Sequence, residues 1–249
     1  NMIKINKKNI MTNSRFHKAD TRGHANLNWL NSFHTFSFSN YYDPDRMNFG
    51  AIRVLNDDTV TKGMGFGTHS HENMEIISIP LSGDLEHKDS MGNSTVIKSG
   101  DIQIMSAGSG IKHSEYNHSK DSVVKFLQIW VIPNQKNVTP RYDQMTLNPI
   151  DSKNKLQQIL SPNPDDEGVW IHQDAWFHLG SFDKNFETTY TVKKEGNGVY
   201  FFVINGSFTV NDQTLDTRDG LGIWDVNQFE IKSNSEESKV LIMEVPMKF

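Results

Sequence analysis

No cysteine occurs in the 249 residues. That one absence removes disulfides, iron–sulfur clusters, thiolate zinc sites and any cysteine nucleophile. No apolar run approaches the ~20 residues that span a bilayer. The basic start Met2-Ile3-Lys4-Ile5-Asn6-Lys7-Lys8-Asn9-Ile10 also lacks the apolar stretch of a secretory signal. The expectation is a cytoplasmic protein with no membrane partner. Positive charge is scarce as well, with 25 Lys and Arg against 30 Asp and Glu and a net charge of -5. A protein that grips phosphates by counterion release needs a basic face, so direct nucleic-acid binding is not expected. Apolar residues are few at 36%, but 10% aromatics exclude a disordered chain. A chain of this length can bury a sizeable core.

What the sequence does have is glycine at short intervals: Ser82-Gly83, Gly92-Asn93, Ser99-Gly100 and Gly108-Ser109-Gly110. Between these turns lie short β-branched or aromatic stretches, residues 76–81, 95–97 and 102–105, which predict strands of a β-sandwich or barrel. Residues 123–132 predict a strand buried on both faces. Tyr200 to Ile204, Asn205-Gly206 and Ser207 to Val210 predict a hairpin closed by a type I′ turn. Five of the eight prolines fall between residues 133 and 164, which predicts a connector with one short element near 155–160. The expected organisation is a first unit over 1–132, a proline-rich connector over 133–170 and a second unit over 171–249.

Four residues carry the chemistry. His69 and His71 stand at i and i+2, which on a strand sends both imidazoles to one face, roughly 7 Å apart. His113 and Glu115 repeat that spacing on a later segment. Two facing strands could thus offer three nitrogens and one carboxylate to one divalent first-row metal, leaving two octahedral positions open for catalysis. A His-x-His pair alone is weak, since ten histidines in this length produce one by chance roughly 0.4 times. Its setting strengthens it: Gly65-Phe66-Gly67 precedes the pair, and Gly100-Asp101 and Gly108-Ser109-Gly110 frame the second segment. The second half has no His-x-His, and His172 and His178 are expected to be ordinary polar residues.

The succession His69, His71, Glu75, Gly83 and then Gly100, Gly108, His113, Asn117 resembles the two motifs of the cupin superfamily. Within it the chain resembles the pirins, and among them bacterial pirin-like quercetin 2,3-dioxygenases. The resemblance runs through residues 32–38, Tyr41-Tyr42-Asp43-Pro44, 65–71, 85–93 and 106–115, then Gln128-Ile129-Trp130 and Thr139-Pro140-Arg141-Tyr142, and more faintly residues 220–225. One departure is Ser70, where pirins usually place proline. The resemblance implies an all-β bicupin of two jelly-roll-like β-barrels face to face. Metal would sit only in the first barrel, and the second would close its mouth. It also implies one divalent ion per chain, Fe(II) by expectation, with Zn, Mn, Co, Ni or Cu also suiting the ligands His69, His71, His113 and Glu115. The general cupin pattern would use Glu75 instead. The closer pirin match selects Glu115 as ligand and catalytic base, with Glu75 as its supporting partner. His34, His87, Gln103 and Gln128 recur in the resemblance and are expected to serve as hydrogen-bonding supports. The implied activity is a metal-dependent dioxygenase cleaving a flavonol such as quercetin, or another enol, with dioxygen and release of carbon monoxide, in a monomer. The family also implies a second class, a non-enzymatic metal or redox sensor acting through a protein partner.

Overall fold

Alternation along the extended chain decides which side chains meet in this molecule. The computed structural model describes residues 13–249, and the basic stretch read above for a targeting signal lies outside them. The first strands are β1 (Asn13–His17), β2 (Gly23–Asn26), β3 (Leu30–His34), β4 (Ile52–Val60), β5 (Gly65–His71), β6 (Glu75–Ser82) and β7 (Asp84–Asp89). Then come β8 (Ser94–Lys98), β9 (Asp101–Ser106), β10 (Ile111–Asn117), β11 (Val124–Val131), β12 (Arg141–Thr146), β13 (Gln157–Ser161) and β14 (Val169–Trp170). The rest are β15 (Trp176–Phe182), β16 (Glu187–Thr191), β17 (Asn197–Asn205), β18 (Phe208–Val210), β19 (Gln213–Leu215), β20 (Gly220–Trp224), β21 (Gln228–Ser233) and β22 (Ser238–Pro246).

These strands make two jelly-roll-like cupin units, each an open pairing of a large and a small sheet. The first unit has the order β12-β9-β6-β11-β4-β3-β2 against β5-β10-β7-β8. In the second, β1-β20-β17-β22-β15-β13-β14 stands against β16-β21-β18-β19. The proline-rich stretch supplies strands to both large sheets, β12 to the first and β13 and β14 to the second. The first described strand, β1, pairs with β20 and so edges the second sheet.

The two large sheets pack face to face. Leu127, Ile129, Leu55, Ile77 and Ile104 from the first meet Phe177, Phe202, Leu241 and Met243 from the second in one apolar core. Residues of the opposite parity point into each unit. In β11 these are Val124, Phe126, Gln128 and Trp130, so the interior of the first unit holds two apolar clusters with a polar stretch between them. The second unit fills the equivalent interior with Phe182, Phe201, Phe208, Phe229 and their neighbours.

The hairpin predicted at Asn205-Gly206 is not formed. β17 pairs with β20 and β22, whereas β18 pairs with β19 and β21 in the other sheet. Only Gly206 has positive φ, at 84°, so the dipeptide turns a corner between sheets and does not close a I′ turn, which needs two such residues.

Candidate metal centre

β5 and β10 lie antiparallel, with His69 directly opposite His113 and Ile111 opposite His71. Between His113 and Glu115 the register slips, because Glu115 faces Phe66. A bulge of this kind re-aims side chains beside it. Gly65 permits the close approach: a Cβ there would lie 2.3 Å from the Glu115 carbonyl oxygen.

Three imidazoles converge as a result. His71 Nε2 is 3.0 Å from His113 Nε2, which is 2.8 Å from His69 Nε2. The ligand atoms of all three lie within 4.8 Å of one another. His69 Nδ1 donates to the Gly67 carbonyl at 2.7 Å, which leaves its Nε2 with a bare lone pair. His113 Nε2 carries at most one proton for two neighbouring nitrogens, so lone pairs are left aimed at a common point. A cation satisfies that arrangement. Nitrogens about 2.1 Å from one ion and at right angles to each other sit about 3.0 Å apart, matching the two close separations. Burial, and then the neighbouring His69, His71 and His87 rings, push His113 down to about 2. Burial and then His69 push His71 down to about 4. Both rings are therefore neutral at neutral pH, the state in which imidazole binds metal.

Glu115 is buried with Oε1 3.7 Å from His113 Nε2. Gln128 Nε2 donates to both carboxylate oxygens, at 2.9 and 3.1 Å. Burial pushes the Glu115 carboxyl up from the usual range, and the Gln128 bonds oppose the shift. Trp130 Nε1 donates to Gln128 Oε1 at 3.3 Å and so braces that amide. His87 packs beside His113 with its Nε2 2.7 Å from Asp89 Oδ2, and Gln103 donates to the Tyr142 hydroxyl at 2.6 Å.

Glu75 does not support this site. It shares parity with Ile77 and Ile79 and faces the other unit, where its Oε1 accepts from Ser106 Oγ at 3.0 Å and from the His172 backbone N–H at 2.7 Å. The shared parity of residues 69 to 75 is broken by the turn between β5 and β6, where Asn73 has φ 47°. His178 lies far along the chain on β15, packed on Tyr190.

A cavity of about 340 Å³ opens beside the histidines and is lined by His69, His71, Glu115 and Gln128 together with aromatic walls that include Phe38 and Trp130. Every lining residue lies between Ala25 and Trp130. The second unit therefore does not close the mouth as expected, because it packs on the opposite face of the large sheet. Ser32, Asn56 and Asp58 also line the cavity, and the sequence motifs did not single them out as site residues. Their signal was masked, because Asn56 and Asp58 sit in the unbroken polar run Asn56-Asp57-Asp58-Thr59 and Ser32 follows Asn31, so no alternation sets them apart.

Comparison with known proteins agrees with this architecture. Residues 15–131 match the model of the pirin family, and residues 158–245 match that of the quercetinase C-terminal cupin domain. The chain is 44% identical over 229 residues to the quercetin 2,3-dioxygenase of Escherichia coli strain K12, covering 92% of this chain and 97% of that relative. A bacterial pirin from Escherichia coli, solved in complex with nickel(II), is 42% identical with a TM-score of 0.88 and covers 94% of this chain and 99% of its own. A quercetin 2,3-dioxygenase from Acinetobacter baumannii shares the fold at 21% identity and a TM-score of 0.74, over 93% of this chain and 85% of its own. No helix among the described residues is long and apolar enough to cross a membrane. With both units matched and the identity sustained across nearly the whole chain, the protein belongs to the pirin family.

Proposed function

We propose that this protein is a metal-dependent dioxygenase that cleaves a flavonol such as quercetin, with release of carbon monoxide. His69, His71, His113 and Glu115 would hold one divalent ion, Fe(II) by preference, in the first unit. The second unit would be free of ions, with residues 133–170 building β12 into the first large sheet and β13 and β14 into the second, and the protein would work as a cytoplasmic monomer. The observation that carries the proposal is the convergence of three Nε2 atoms on one point, beside a buried carboxylate and at the wall of an aromatic-lined cavity. The names of the similar Escherichia coli enzyme and nickel-bound pirin support the activity and the presence of an ion.

A bound ion supplies positive charge that favours the enolate form of the flavonol 3-hydroxyl. The protein's own residues do the rest. Glu115 accepts the hydroxyl proton on a carboxylate oxygen, and Gln128 fixes the orientation of that carboxylate. Phe38 and Trp130, edge to face with centroids 5.5 Å apart, offer aromatic surface to the planar rings and keep water from them. The enolate is then electron-rich enough to react with dioxygen, which opens the central ring. Aerobic incubation of iron-loaded protein with quercetin tests this: flavonol absorbance should fall. Unchanged absorbance with confirmed metal occupancy would overturn the activity.

A further inference from the structure

The cavity has a second polar station that the steps above leave unused. Across the inner face of the first large sheet, His34, Asn56, Gln128, Ser78 and Gln103 stand opposite one another on five adjacent strands. Gln128 serves Glu115. The outer end of the row, His34 and Asn56, lines the cavity, and both residues are at least 97% buried. Among the described residues, His34 Nδ1 and Asn56 Oδ1 have no hydrogen-bond partner. Buried polar atoms are costly in that condition, which marks this end of the cavity wall as polar where the rest is aromatic.

Asp58 lies two residues beyond Asn56 on β4, about 7 Å further along the strand and on the same face. It is 3% exposed and lines the same cavity. The Ser32 hydroxyl donates to Asp58 Oδ1, and His34 Nε2 lies 2.9 Å from Ser32 Oγ. Among the described residues, Asp58 Oδ2 receives no hydrogen bond from the protein. Carboxyl, hydroxyl and imidazole thus form a chain whose protons can shift along it, able to accept or donate at its cavity end. A phenolic hydroxyl likewise accepts and donates, and the Trp29 and Phe66 rings beside this end of the cavity suit the flat ring that carries one.

We propose that Asp58, backed by Ser32 and His34, is a second anchor that binds a phenolic hydroxyl of the substrate remote from the enol, and so selects polyhydroxylated flavonols over those with the 3-hydroxyl alone. The proposal rests on the flavonol reading above. Burial pushes the Asp58 carboxyl up to about 7, so either protonation state is accessible near neutral pH.

Binding measured without dioxygen separates this anchor from a purely structural network. Tryptophan fluorescence reports occupancy, since Trp29 and Trp130 both line the cavity. The ion-loaded wild type should bind quercetin at least about tenfold more tightly than 3-hydroxyflavone, as expected for a hydrogen bond to a charged group. Asp58→Ala and Ser32→Ala should each remove most of that preference while holding 3-hydroxyflavone affinity within about twofold. Asp58→Asn, close in shape and a safeguard should Asp58→Ala not fold, should reduce the preference several-fold with metal content intact. Equal wild-type affinity for the two flavonols, or equal weakening of both in the folded variants, would overturn the anchor and leave the flavonol reading standing. Failure of the wild type to bind either flavonol would overturn both.

Discussion

Glu115 receives two hydrogen bonds from one amide nitrogen of Gln128 and sits 3.7 Å from a histidine nitrogen. Replacing its carboxylate by an amide removes both the proton acceptor and a strong ligand. Glu115→Gln should therefore lower turnover about 10²- to 10⁴-fold, with metal content measured on the same sample. Gln128→Leu leaves a buried carboxylate without its donor and should cost about 10- to 100-fold, the range for groups that orient a ligand. Glu75→Gln should keep both metal and turnover and lower the melting temperature, because Glu75 bonds Ser106 and His172 at the junction of the units. Retained stability with an emptied site would reverse the assignment of the two glutamates. The histidine spacing was readable from the chain because a period of two survives within one strand, whereas the choice of Glu115 over Glu75 came from the pirin resemblance and not from parity. Glu75 was misplaced because a left-handed Asn73 resets that period, and asparagine alone does not announce such a turn.

At the scale of elements, strand positions were legible and strand partners were not. The apolar run expected at 123–132 is β11, and the short element expected near 155–160 is β13. Asn205-Gly206 misled because the local turn preference is overruled by the longer ladders of β17 with β20 and β22. No local pattern tells that β1 belongs with β20. That pairing has a pH consequence. His17 on β1 bonds the Tyr200 hydroxyl at 2.9 Å through Nδ1, and burial, then Arg46 and Arg15, with Asp43 opposing, push it down to about 4. Between about pH 6.5 and 4 the unfolded chain binds a proton at this histidine that the folded one refuses. Stability should therefore fall as pH drops through that window. His17→Gln should flatten that slope in denaturant titrations, and an unchanged slope would exclude His17 as its source.

The whole molecule is organised by a shared wall: two large sheets back to back, with the candidate metal centre on the far side of one of them. Phe202, buried at that wall, contributes to neither unit's interior but to the core between them. Phe202→Ala should destabilise by about 3–5 kcal/mol and leave a single unfolding transition, because each unit exposes the shared core when the other melts. Two separate calorimetric transitions would show that the units stand independently. Turn spacing announced the strands and the cupin resemblance the doubled arrangement, and parity along β11 and β22 explains the rest: one face of each strand is spent on the wall and the other on its own unit.

The pairing of β1 with β20 also sets an order of events in the cell. Residues 13–17 leave the ribosome before their partner residues 220–224, which follow about two hundred positions later. At 5–20 residues per second, the strand waits roughly 10–40 s before its hydrogen bonds can form. The first unit can assemble around its histidines in that interval, while β1 remains an unpaired edge available to any other strand it meets. Translation speed thus governs how long the nascent chain is exposed to mispairing, and the first described strand finds its place at the sheet edge only once β20 has emerged.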